Sequence, residues 1–465
     1  MRFTQNYKTS SMAVVFGTIS SLFLACLAFA VYTGNLDADS IAKFISDNNI
    51  KSVDELLKQL PEGLRSQFSL VYDTRNAAQF ASKEKPRVIL FSPDGKFYLT
   101  FAGSPDVKGG NTVEMISQRA NGTYSFSNIV FENGIATHNR NPAACVACHG
   151  KEPRPIWDGY PKWPGVYGSD HDVLRLDKSD FRHADDAKFE SNSKELANLD
   201  VFRTTGLQEG RYANLVNVPT HENLQLYPHL SNMNMYLSEV LQDSTDRATI
   251  GKILDTPRVA EYLPWLLQQL GQNYGRDVYI INNQFDQFPG GNSAELIAEF
   301  RAFAKKRSEE FQQSSLKIRE RLEVLDAGVH PKGFFDHFGQ IDIDAFSLIE
   351  FVCQKAGIPL EAWAPGIQGN LRQAGGGPPG YITFHRQLVE QLMHRDPNLE
   401  RFVTKKYYGS TFIYEISPEG YQYLKDNIAK FLGPKPLLFQ ETTNRHPPKK
   451  LSAISRCFSL FKLSR

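Results

Sequence analysis

The stretch Arg87-Val-Ile-Leu-Phe-Ser-Pro-Asp-Gly-Lys-Phe-Tyr-Leu-Thr-Phe101 reads as two short strands about a tight turn. Arg87 to Phe91 and Lys96 to Phe101 are rich in the branched and aromatic side chains that suit a pleated surface. Between them, Ser92-Pro93-Asp94-Gly95 is a turn sequence in which Pro and Gly each supply a backbone angle the turn needs. A second hairpin follows. Val113 to Arg119 and Thr123 to Phe131 flank Ala120-Asn121-Gly122, and Asn-Gly between two such runs is the strongest short hairpin signal. Together the two hairpins predict a small antiparallel sheet.

Two helices are predicted before the sheet. Asp37 to Ser46 carries Ile41, Phe44 and Ile45 at helical spacing, and Ser52-Val-Asp-Glu55 is a capping box for a helix that must stop before Pro61. After the sheet comes Asn141-Pro-Ala-Ala-Cys145-Val-Ala-Cys148-His149-Gly150, which contains Cys-x-x-Cys-His, the pattern of c-type haem attachment. The spacing suits the chemistry. Two thiols bond to the vinyl groups on one edge of a porphyrin, and the adjacent His brings an imidazole under the iron. Two rivals use the same residue types. A zinc knuckle needs four donors, normally with a second close pair, and the remaining cysteines are Cys26, Cys353 and Cys457. A redox dithiol wants a strand before the pair, whereas Asn139 to Ala144 reads as a turn.

The motif resembles the c-type cytochrome class. The stretch that follows it, Pro153 to Gly168, is similar to a group of poorly characterised bacterial exported proteins with one such haem site. The resemblance implies thioether attachment at Cys145 and Cys148, axial ligation by His149, one covalent haem c, and electron transfer with a partner protein. The chain is several times longer than the small soluble cytochromes. It also has no Met in the first eighty residues after His149, so a methionine ligand must be sought further on.

Pro153 to Gly168 holds four prolines, two tryptophans and two tyrosines, a stiff backbone carrying large apolar rings. Trp157, Tyr160, Trp163 and Tyr167 are candidates for one wall of a haem pocket, with Arg154 positioned to meet a propionate. The same stretch can equally pack on the sheet with Arg154 in water. For the sixth ligand, a helix beginning at Ser231 would place Met233, Tyr236, Leu237, Val240 and Leu241 on one apolar face, and Met235 with Ser238 and Glu239. Met233 is the preferred ligand. Met235, His171, His183, His221 and His229 are alternatives, as is an open position, and a Met on an apolar face can also simply fill a core gap.

A chain of 465 residues with 41% apolar and 22% charged content is of ordinary globular composition, enough for two or three domains. Its net charge of +1 offers no bulk attraction to nucleic acid. Met12 to Thr33 carries no charged side chain, and a helix of that length, at about 1.5 Å per residue, spans roughly 33 Å, enough for a bilayer core. It reads as a signal anchor, as a signal peptide cut after Ala28-Phe29-Ala30, or as a lipoprotein signal with Cys26. All three export the chain. Arg2 and Lys8 before the run and Asp37 and Asp39 after it leave the body outside the cytoplasm, hence in the periplasm, tethered to the inner membrane by the N-terminal segment.

Leu176 to Thr204 is charged and helical in pattern. From Thr256 the character shifts: Thr256-Pro257 caps a helical stretch that Pro264 bends and Gly271 closes. Ser293 to Val324 and Asp344 to Ala356 are further helices, the second carrying Cys353 on its apolar side as a small hydrophobe. Gly375 to Gly380 is a break. Lys405 to Ile416 is strand-like, and Glu419 to Leu432 is a last helix. The basic tail Arg445 to Arg465 either lies on an anionic membrane or is disordered.

The predicted fold is α+β, a small antiparallel sheet plus a helical haem c region, followed by a mainly α-helical C-terminal half. The segments are 1–36 (signal anchor or signal peptide), 37–255 (haem c-binding), 256–433 (mainly helical) and 434–465 (tail). The predicted function is an exported c-type cytochrome passing single electrons. Its rivals are a peroxidase-like enzyme with an open iron, for which His171 or His183 with Arg175 or Arg182 have the right chemistry, and a haem-based sensor whose helical half binds a partner.

Overall fold

A computed structural model describes residues 36–74, 76, 78–149, 155, 157, 163, 165–169, 207, 209–216, 218, 223–272, 288–289, 294–307, 309, 347–358, 380–408 and 411–437. The fold is α+β, with a six-stranded antiparallel sheet, a separate two-stranded sheet and a helical C-terminal half. The N-terminal apolar run, 176–204, most of 293–346, the glycine-rich break and the basic tail lie outside the described residues. Among the described residues no helix is long and apolar enough to cross a membrane.

Helix α1 (Ala38–Asp47) is capped by Asp37, whose carboxylate accepts from the Ser40 N–H at 2.7 Å, and Ser40 answers by accepting from the Asp37 N–H at 2.9 Å. Helix α2 (Val53–Gln59) is capped by Ser52, with Glu55 turned back to the Lys51 N–H. A single helical turn, α3 (Glu62–Arg65), then leads into the sheet.

The sheet is a meander in chain order: β1 (Phe68–Val71), β2 (Arg87–Phe91), β3 (Phe97–Phe101), β4 (Thr112–Gln118), β5 (Tyr124–Glu132) and β6 (Ile135–Arg140). Both predicted hairpins are present, joining β2 to β3 and β4 to β5. The outer strands β1 and β6 are additions to the sequence reading. Asn139 and Arg140, expected in a turn, end β6, so a strand does precede the Cys pair, and that objection to a redox dithiol falls. The strand is an antiparallel edge strand, not part of a βαβ unit.

Both faces of the sheet are buried, because successive side chains point to opposite sides. One face sets Phe68, Leu70, Val88, Leu90, Phe97 and Leu99 against α1 and α2. The other sets Ile89, Phe91, Tyr98, Ile116, Tyr124 and Phe126 against a long helix. In sequence, a short helix, α4 (Ala143–His149), carries the motif between the sheet and the long helix. The long helix, α5, spans Asn223–Asp255. It starts well before the expected Ser231, and it is buried nearly all round from Tyr236 to Leu254, including Gln242, Asp243, Ser244 and Asp246. A helix lies in this way when it has neighbours on several sides. The sheet covers one side of α5, and its last turns join the C-terminal core through Ile250, Ile253 and Leu254.

Both hairpin tips dock on α5. Gly122, with φ +82°, turns the second tip so closely against the Arg247 carbonyl and Ala248 Cα that a side chain there would collide with backbone at 2.5 and 2.7 Å. Arg247 reaches back to donate to the Asp94 carbonyl in the first tip at 2.7 Å.

In the C-terminal half, a 3₁₀ turn (Pro257–Glu261) precedes α6 (Leu263–Gln272). Pro264 therefore sits at the start of a helix, where its missing N–H costs nothing, and does not bend one. Helical residues 294–307 and 347–355, α7 (Gly380–Arg395) and α8 (Pro418–Asp426) share the core. Lys405 to Ile416, expected as one strand, is a hairpin of β7 (Val403–Tyr408) and β8 (Thr411–Ile416). Cys353 is fully buried in this core, and burial pushes its thiol pKa up.

Candidate functional site

The site is built on one row of the sheet. Pairing aligns Phe91 with Tyr98, Tyr98 with Ile116 and Ile116 with Phe126, so these four side chains stand in line across β2 to β5, all buried. The row is closed by a residue beyond the last strand. Asn141 donates its N–H to the Phe126 carbonyl at 2.7 Å, and its side-chain oxygen accepts from the Phe126 N–H at 3.1 Å. This side chain completes the ladder where backbone alone would have left it. With φ +46°, Asn141 then turns the chain out of the strand, and Asn tolerates that conformation better than most residues.

After the turn, the Cys145 N–H donates to the Pro142 carbonyl at 2.9 Å as α4 begins. In a helix, positions i, i+3 and i+4 are neighbours, so Cys145, Cys148 and His149 share one face within an arc of about 100°. Cys145 packs on the aromatic cluster of the sheet's inner face. The His149 ring meets the Phe126 ring at 4.4 Å between centroids, inclined by 44°. Trp157 and Trp163 join the same cluster, stacked at 6.4 Å, with Trp157 edge-on to Tyr98 at 5.2 Å.

Tyr98 anchors this patch from below. Its hydroxyl bonds Ser244 on α5 at 3.3 Å, and burial drives its phenol pKa well above the ordinary value. The next row of the same face turns polar, with Ile89 paired to Thr100, Thr100 to Glu114 and Glu114 to Asn128. Arg87 fills the neighbouring space, buried, and donates to Gln79 at 2.6 Å, Thr100 at 2.7 Å and Glu114 at 3.0 Å. The patch is therefore apolar beside the motif and polar two residues further along the strands.

The structure brings Cys145, His149, Trp157 and Trp163 together. Tyr167, expected with the tryptophans, faces the other way. The backbone at 166 bridges Val71, and the alternation of that extended segment sends Tyr167 into the opposite cluster, against Tyr72 at 4.6 Å with its hydroxyl on the Lys83 carbonyl. His229 also belongs elsewhere. Its ring meets Phe68 on β1 at 5.7 Å, and burial holds its pKa low. Four strand spacings separate β1 from β5, roughly 19 Å, too far for His229 and His149 to share one iron.

Met233 is fully buried on α5, as expected. Its neighbours Leu230, Asn234 and Tyr236 meet Gly168, Tyr167 and Phe91, on the β1–β2 side, whereas His149 meets Phe126 on β5. Met235 is half-buried two residues further on. The side chain of Cys148 and the residues Arg154, Tyr160, His171, Arg175, Arg182, His183 and His221 lie outside the described residues. Among the described residues no group of three or more His, Cys, Asp or Glu side chains is gathered, so the donor set of a zinc site is not assembled there.

Cys145 and His149 are residue types that a c-type haem would take, and they lie on one short helix beside the buried cluster of Phe126, Trp157 and Trp163. Asn141, Phe126 and Tyr98 were not singled out from the sequence. The hairpin alternation carried the signal for Phe126 and Tyr98, and the conformational tolerance of Asn carried it for Asn141. Set against protein-family models, curated proteins and solved structures, the chain shows no significant match.

Proposed function

We propose that this protein is an exported c-type cytochrome that holds one haem through Cys145 and Cys148, with His149 as an axial ligand, and exchanges single electrons with a partner protein. The observation that carries this reading is the placement of Cys145 and His149 on one face of a short helix, against an aromatic sheet face. When bound, haem supplies a one-electron couple whose potential follows axial ligation, burial and hydrogen bonding. The chain's own part is to hold and shield. Asn141 fixes the start of the motif helix, Phe126 lies against the imidazole, and Trp157, Trp163 and Tyr98 exclude water from one side. Segment 1–36 is assigned as the export signal and inner-membrane tether, which places the body in the periplasm.

Absorption and paramagnetic resonance spectra of the purified ferric protein test the activity. A carrier gives six-coordinate low-spin iron, and a thioether charge-transfer band would identify a methionine as the second ligand. High-spin iron that binds carbon monoxide and peroxide readily would overturn the carrier reading in favour of an enzyme or a sensor.

A further inference from the structure

We infer that Phe126 is a positioning residue for the His149 imidazole, and that Asn141 is the brace that holds Phe126 and the motif helix in register. The inference rests on the haem reading above and assigns a role that the motif itself does not contain. Three contacts converge on one residue. The Phe126 carbonyl accepts from Asn141, its N–H donates to the Asn141 side chain, and its ring meets the His149 ring at 4.4 Å. The ring is itself immobilised, being almost fully buried in the cluster that holds Ile116 and Tyr124.

The physical consequence concerns rotation. An imidazole anchored only by its own helix can turn about its Cβ–Cγ bond, a broad and soft torsion. A packed ring against one side removes part of that freedom. The two rings are inclined by 44°. In the haem-loaded protein, an imidazole held in one orientation would give one sharp ferric signal, and one free to turn a broad or split signal. Asn141 enters because it is the link between strand and helix. It ties the turn just before α4 to the backbone of the residue whose ring contacts the last residue of α4. The spacing from Asn141 to His149 is thereby closed into a loop on Phe126.

The test uses the full-length protein matured with haem, comparing wild type, Phe126→Leu, Asn141→Gly and Phe131→Leu. Phe131 is the matched control: it lies on the same strand and is similarly buried, but faces the opposite cluster. The readouts are covalent haem content, the ferric paramagnetic resonance spectrum and the midpoint potential. Phe126→Leu is expected to broaden or split the ferric signal and shift the potential, while Phe131→Leu loses comparable stability with the wild-type spectrum. Asn141→Gly keeps the turn conformation but removes the brace, and is expected to change the spectrum in the same direction as Phe126→Leu. Loss of haem attachment in Phe126→Leu but not in Phe131→Leu supports the same role. A wild-type spectrum and potential in both Phe126→Leu and Asn141→Gly overturns the inference while leaving the haem reading intact. A wild-type protein without covalent haem overturns both.

Discussion

Gly251 on the long helix lies directly against the carbonyl oxygen of Asn121 at the tip of the second hairpin, so closely that a Cβ at position 251 would overlap it. The contact is backbone on backbone, and neither side can yield by rotating a side chain. Gly251→Ala is expected to destabilise the protein by about 1–3 kcal/mol, the usual cost of overfilling a packed site. Gly63 supplies the comparison, because nothing lies within 4 Å of its would-be Cβ. Urea midpoints should fall for Gly251→Ala and hold for Gly63→Ala; equal midpoints would mean the hairpin does not dock on the helix this way.

Arg87 and Glu114 form an ion pair at 3.0 Å in the polar row beside the aromatic patch, with only 8% and 16% of their side chains exposed. Removing one partner of such a pair leaves a charge that water reaches poorly. Arg87→Met is expected to cost about 3 kcal/mol, and Arg87→Met with Glu114→Leu to recover a good part of it. A double-mutant cycle read by chemical denaturation checks this, and additive losses would contradict it.

His385 is buried in the C-terminal core, and burial, with Arg386 nearby, holds its pKa down to about 4. The folded protein therefore binds fewer protons here than the unfolded chain, whose imidazole titrates near 6.5. The contribution to stability is complete above pH 6.5 and is lost as pH falls towards 4, by about 3 kcal/mol over the window. His385→Asn is expected to flatten that part of the stability profile. An unchanged slope between pH 6.5 and 4 would show that other groups carry it.

The hairpins were legible because their turns are written in special residues, Pro93-Asp94-Gly95 and Asn121-Gly122, flanked by runs rich in branched and aromatic side chains. The edge strands were not. Phe68–Val71 is only four residues long and buried throughout, and Ile135–Arg140 is a mixed polar strand exposed along much of its length. The burial of the polar run Gln242 to Arg247 was not legible either, because it comes from partners that cover α5 on several sides. The Cys145, Cys148 and His149 pattern was legible from spacing alone, but the helix that carries it was not. Its seat on Phe126 was not, because pairing across the sheet brings residues from four different strands into one row.

If segment 1–36 tethers the protein, alkaline extraction of membranes should leave the intact chain in the pellet. The mass of the N-terminal peptide, taken from the protein as cells make it, answers the same question independently. Release into the supernatant with Val31 at the N-terminus would instead identify a cleaved signal peptide.

The most direct measurement is the mass of the mature polypeptide after denaturation, compared with Cys145→Ala, Cys148→Ala and the double variant. The wild type should carry one iron porphyrin that survives denaturation, each single variant should show impaired attachment, and the double variant should carry none. A wild-type chain whose mass equals that of its amino acids alone, recovered from cells competent to attach haem, would contradict the account.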